Sequence, residues 1–150
     1  MNDYLKDLPT TFSRDFFRLF IGEAIGNGMS RHVYQHAQDK DVVIKVEGSA
    51  GYFQNIVEWE IWKQVEGTVM QKWFAPCIDI SPNGIFLLQK KVEVIPHSSY
   101  PKEVPDCFQD FKYQNFGRYN KHFVCCDYGN LVGKKIFTEK FRKVKWSYFK

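Results

Sequence analysis

The stretch Asp110-Phe111-Lys112-Tyr113-Gln114-Asn115 is followed, twelve residues after Asn115, by Asp127-Tyr128-Gly129, and this spacing constrains the chain more than any other feature. Four polar groups at fixed offsets, D-x-K-x-x-N and then D-Y-G, are hard to account for as ordinary loop residues. Between them, Phe123-Val124-Cys125-Cys126 is an apolar run short enough for a buried strand. Such a strand delivers Asp127 to a strand end, where metal ligands are commonly presented.

Upstream, Ile21-Gly22-Glu23-Ala24-Ile25-Gly26-Asn27-Gly28-Met29-Ser30-Arg31-His32-Val33-Tyr34 reads as a glycine-rich loop running into a strand. Gly26 and Gly28 allow a backbone to approach a ligand closely. Eleven residues after Tyr34, Lys45 sits inside the β-branched run Val42-Val43-Ile44-Lys45-Val46, an odd place for a cation without a partner. Gln54 to Val65 carries helical periodicity, with Glu58, Ile61, Trp62, Val65 and Val69 on one face and Glu60 with Gln64 on another. Ser81-Pro82-Asn83-Gly84 between two apolar runs predicts a β-hairpin.

In this order the segments resemble a protein kinase. The resemblance implies an α+β fold: an amino-terminal lobe of antiparallel sheet plus one helix, over residues 21–91, and a strongly reduced carboxy-terminal lobe. It implies ATP and Mg²⁺ as cofactors. Gly26 and Gly28 would lie over the phosphates, Val33 would cover adenine, and Leu88 would stand at the back of the adenine pocket with the backbone of Gln89 to Lys91 along the purine edge. Lys45 would hold phosphates and pair with a helix glutamate, Glu58 being preferred and Glu60 the alternative. Asp110 would orient or deprotonate the acceptor hydroxyl, Lys112 would neutralise the transferring phosphoryl, and Asn115 and Asp127 would hold Mg²⁺. Arg31 stands where the family usually has a third glycine, which implies either a stiffer loop or an extra cation for the phosphates.

A chain of 150 residues fits one domain with a real core and is too short for two ordinary ones. Within that domain we distinguish an extension over 1–20 with a short helix, the lobe over 21–91, a proline-rich connector over 92–107, the catalytic and metal loops over 108–133, and a tail over 134–150. Pro96, Pro101 and Pro105 forbid a regular long helix in the connector. Ordinary kinases continue well past the D-F-G position, whereas 21 residues follow Gly129 here. Phe108-Gln109 replaces the family's His-Arg, which argues against control through activation-loop phosphorylation. The abbreviation resembles miniature kinases of the kind bacteriophages encode.

No run of about 18 apolar residues and no basic-then-apolar leader is visible, so the expected location is the cytoplasm, that of a host if the chain is phage-encoded, with no membrane partner. Cys77, Cys107, Cys125 and Cys126 form no C-x-x-C pair and read as buried thiols; His32, His36, His97 and His122 are scattered and receive no catalytic role. Net charge is +4, but Lys134 to Lys150 hold seven basic residues against Glu139 alone, so the tail is a separate electrostatic object. Its aromatics can dock on the domain while its lysines face water, or the stripe can meet an acidic protein or nucleic acid. An aromatic content of 17% also makes a homodimer one way of covering apolar surface.

Two functions compete. One is an ATP/Mg-dependent phosphotransferase, of the serine/threonine protein kinase type because of the Asp-x-Lys spacing, acting on an unidentified protein acceptor. The other is a pseudokinase, a binding module that regulates or inhibits a partner through the basic tail. An accidental resemblance in an unrelated α+β protein is a third reading, and it requires Lys45 and Asp127 to lie apart.

Overall fold

The structure is a computed structural model and describes residues 19–27, 31–48, 53–131 and 135–148, with Asn27 represented by its backbone only. The amino-terminal extension therefore lies almost wholly outside the described residues, as do Gly28 and the first and last residues of the tail. Five strands form one antiparallel sheet: β1 (Ile21–Asn27), β2 (Arg31–His36), β3 (Val42–Glu47), β4 (Cys77–Ile80) and β5 (Phe86–Lys90). Their spatial order is β1-β2-β3-β5-β4. The hairpin joining β4 and β5 turns at Gly84, whose φ of +73° is one a side chain rarely adopts.

Helix α1 (Gln54–Val65) follows β3 and buries Glu58, Ile61, Trp62 and Val65, four residues of the face predicted from three- and four-residue spacings, together with Asn55. Val69 departs from that expectation and is exposed, because the helix ends at Val65 and the chain turns at Gly67, where φ is +79°. The helix start has no side-chain cap of its own. Glu47, the last residue of β3, supplies one from outside by accepting the Asn55 N–H, which places an anion at the positive end of the helix. The Asn55 amide in turn donates to the carbonyls of Lys45, Gly84 and Ile85, tying helix, β3 and hairpin together.

After β5 the connector is extended. Among the described residues its regular structure is a single 3₁₀ turn at His97–Ser99 and the short strand β6 (Glu103–Pro105). Next come the hairpin of β7 (Phe116–Tyr119) and β8 (His122–Cys125), then β9 (Phe141–Lys143), which pairs with β6. Asn120 and Lys121 turn the β7–β8 hairpin with positive φ at both positions, the two-residue geometry that matches strand twist. One core cluster runs from α1 and Leu87 through Phe74, Phe108 and Tyr128 to Ile136, so the sheet and the later segments share a single interior. A smaller cluster of Val42, Leu88 and Ile78 sits apart. Among the described residues no helix is long and apolar enough to cross a membrane.

Candidate active site

Antiparallel pairing decides which side chains share a face of the sheet. Val33 pairs with Lys45, Lys45 with Leu87, and Val43 with Gln89, so all of these point to the side covered by α1. Arg31, two residues before Val33, points the same way. Leu88 does not. The two-residue alternation turns it to the opposite face, where it packs with Val42 and Ile78. The expectation of Leu88 at the back of an adenine pocket is therefore corrected: Gln89, fully buried, takes the Lys45 face. The expected purine edge is also altered, since the amides of Lys90 and Lys91 donate to the carbonyls of Pro76 and Asp41.

Glu58 is the centre of the arrangement. It is completely buried and accepts from Lys45 Nζ at 2.9 Å, from Arg31 Nη2 at 2.7 Å and from the backbone amides of Tyr128 and Gly129 at 3.0 and 3.2 Å. Gln89 Nε2 adds a longer contact at 3.4 Å. Lys45 thus pairs with Glu58 and not with Glu60, which is exposed. Burial pushes the Glu58 carboxyl upward, but the Arg31 and Lys45 charges outweigh it and hold the group at about 2. Burial acts against the Arg31 guanidinium as well, and the charges of Glu58 and Asp127 raise it above its ordinary range.

Arg31 reaches further than either function foreseen for it. The same Nη2 that binds Glu58 lies 2.7 Å from Asp127 Oδ1, and Nη1 donates to Asn55 Oδ1 at 3.1 Å. Lys45 Nζ also donates to the carbonyl of Cys126, the residue before Asp127. Two buried cations and two carboxylates, drawn from β2, β3, α1 and the D-Y-G segment, are therefore in direct contact. Asp127 is the open member, with its side chain 48% exposed.

The second group lies one peptide away. The Cys126 N–H donates to the Asn115 carbonyl at 2.8 Å, so the strand end and the loop are bonded to each other. Within the loop, the buried Asn115 donates through Nδ2 to the Asp110 carbonyl at 3.2 Å, and Lys112 Nζ stands 3.4 Å from Asp110 Oδ2. Cys125 is buried on β8, whereas Cys126 lies past the strand end and is partly exposed. Gly26 pairs with Val33, and a side chain there would meet open space, so local crowding does not require a glycine.

This set fits a phosphate–metal ligand. The half-exposed carboxylate of Asp127 adjoins the buried Arg31, with Lys45 bonded to the preceding carbonyl, and a magnesium ion needs only one or two protein oxygens when phosphates supply others. Among the described residues no three His, Cys, Asp or Glu side chains gather as a metal site independent of such a ligand. Arg31 engages Oδ1 of Asp127 while remaining bonded to Glu58 and Asn55.

No side-chain role was read from the sequence for Asn55, Gln89 or Tyr128. Asn55 lies three positions before Glu58 on the same helix face, a spacing that could have flagged it. Tyr128 is fully buried, with its hydroxyl on the Ala75 carbonyl at 2.8 Å and 3.2 Å from Cys77 Sγ.

No family model and no curated protein sequence matches the chain. Among solved structures, that of the streptomycin-ATP-APH(2")-IIa ternary complex is similar to part of it, with a TM-score of 0.44 and 14% identity over 59% of this chain. The match spans 30% of that chain, under a third of its length.

Proposed function

We propose that the chain is a nucleotide-dependent phosphotransferase acting on a hydroxyl, with ATP and Mg²⁺ as the nucleotide and metal. The observation that carries this reading is the convergence of Lys45, Glu58 and Asp127, brought from three separate parts of the sequence into one ion cluster. Magnesium-bound ATP supplies the phosphoryl group and part of its charge neutralisation. Lys45, oriented by Glu58, would hold phosphate oxygens. Asp127, with Asn115 behind it, is the metal-facing side, and Asp110 accepts or orients the hydroxyl proton while Lys112 balances charge beside it. Arg31 contributes a further cation at the phosphates once Asp127 turns to the metal. The serine/threonine protein kinase type remains the expectation for the acceptor.

A second reading draws on one specific contact. Arg31 already neutralises Asp127 at 2.7 Å, an arrangement suited to a scaffold that occupies a partner without turnover.

Thermal unfolding with and without ATP and Mg²⁺, on the native chain and on Asp127→Ala, separates these. A ligand bound only by the folded state at a hundred times its dissociation constant adds about 2.7 kcal/mol of stability. For a chain of this size that raises the midpoint by about 5–11 °C. A magnesium-dependent rise that Asp127→Ala abolishes supports the phosphotransferase. No rise in the native chain overturns it and leaves the scaffold reading.

A further inference from the structure

We infer that residues 135–148 build one wall of the acceptor site, and that the acceptor is a hydroxyl-bearing segment of an acidic protein; this rests on the phosphotransferase reading. Beside Asp110 an open pocket of about 410 Å³ is lined by Gln109, Asp110 and Phe111 from the loop, Asn130 from the segment after D-Y-G, and Lys145 and Ser147 from the tail. The tail is built into this wall by its backbone. The Tyr113 N–H donates to the Ser147 carbonyl at 2.9 Å and the Ser147 N–H to the Phe111 carbonyl at 3.0 Å, a bridge that brackets Lys112.

Alternation along the tail then does the sorting. Lys145 and Ser147 line the pocket, while Trp146 between them turns inward, donates Nε1–H to the Pro101 carbonyl at 2.8 Å and packs on Tyr100, Phe111, Phe116 and Phe123. The wall is therefore held at a fixed distance from the carboxylate of Asp110.

The chemistry of the lining selects the acceptor. Its one carboxylate, Asp110, is already paired with Lys112, and the remaining polar groups are the amides of Gln109 and Asn130, the Ser147 hydroxyl and the Lys145 ammonium. Arg142 and Lys143 are exposed just before Lys145; Arg142 lies over the Phe111 ring that lines the pocket, while Lys143 stands opposite Glu103 on β6. A hydroxyl flanked by carboxylates meets the Lys145 ammonium in the lining and the Arg142 guanidinium over Phe111, and two separate cations favour a peptide with a carboxylate on each side of the hydroxyl over a small molecule. Nucleic acid is disfavoured because single strands bind through open aromatic faces beside positive charge. The ring at this pocket, Phe111, lies under the Arg142 guanidinium at 5.2 Å and against the Trp146 edge.

The test uses the full chain at about 0.15 M salt, where the Debye length is about 8 Å, and a fluorescent peptide carrying glutamates on both sides of one serine, with binding read by anisotropy. Lys145→Glu is expected to weaken binding by roughly tenfold or more, as attraction becomes repulsion at a contact. Lys140→Glu makes the same charge change on an exposed residue outside the pocket lining and is expected to stay within about threefold, because exposed charges are screened over about a Debye length. Equal losses in the two variants, or none in Lys145→Glu, overturn the inference, as does a single-stranded oligonucleotide that binds more tightly than the peptide. The nucleotide-dependent midpoint shift is measured separately on the native chain. Peptide binding sensitive to Lys145 without that shift supports the wall and overturns the phosphotransferase; the shift without peptide binding does the reverse.

Discussion

Replacing Glu58 by glutamine keeps the side-chain shape and removes the charge on which the ion cluster is organised. In the folded chain the carboxyl is held at about 2 against an ordinary 4.5. At about 1.36 kcal/mol per unit, that gap corresponds to folding free energy on the order of 3 kcal/mol. Glu58 is fully buried, so bulk solvent screens the interaction little. The substitution also leaves Lys45 and Arg31 buried with less compensation and points an amide donor at other donors, for which about 3–5 kcal/mol is typical. Because Arg31 keeps Asp127, we expect a loss near the lower end, about 3 kcal/mol, from a total of about 5–15 kcal/mol. A group whose folded value is depressed contributes fully above its unfolded value and loses that contribution as pH falls towards its folded value. The native chain should therefore weaken between about pH 5 and pH 2 by a component that Glu58→Gln lacks, and the gap between the two should shrink by about 2 kcal/mol by about pH 3. Urea unfolding followed by tryptophan fluorescence, at neutral pH and at about pH 3, measures both quantities. A gap under about 1 kcal/mol at neutral pH, or one that does not change with pH, refutes the reasoning.

Gly129→Ala should cost about 1–3 kcal/mol, since a Cβ there would lie 2.7 Å from Gln54 Cβ and 3.0 Å from its carbonyl oxygen, and the start of α1 has to retreat. Scanning calorimetry should show a midpoint lower by several degrees, and an unchanged midpoint contradicts the packing. Cys77 should resist alkylation in the native chain near pH 8, because burial first, and then the negative charge of Glu58, push its thiol up to about 12. Peptide mapping after brief iodoacetamide treatment checks this, and rapid native labelling of Cys77 would contradict its burial.

Legibility in the sequence depended on whether the governing interaction was local. The helix over Gln54–Val65 and the turn at Gly84 follow from periodicity and from turn chemistry within a few residues, and both stand where expected. Lys45 was conspicuous because a cation among Val and Ile demands a partner. Leu88 was misplaced because Phe86-Leu87-Leu88-Gln89 is buried on both faces and so shows no alternation to read. Its face is set by register with β3, which is not a local property. Arg31 stood out against the glycine pattern, yet its partners lie 27 and 96 positions away, and nothing near it names them. The same holds for Lys145 and Ser147, whose place beside Asp110 follows from a backbone bridge to the loop at 111–113.

That bridge also bears on the order in which the molecule comes together. The strands of the sheet pair largely with near neighbours in the chain, and loops of that length close at small entropic cost. The amides of Tyr113 and Ser147, by contrast, find their partners only when the tail is present. During folding the sheet can therefore form first, while the loop bearing Asp110 and Lys112 waits for the distant Ser147 to reach it. A chain that has closed its sheet before Ser147 docks therefore carries a finished scaffold beside an unanchored loop at 111–113.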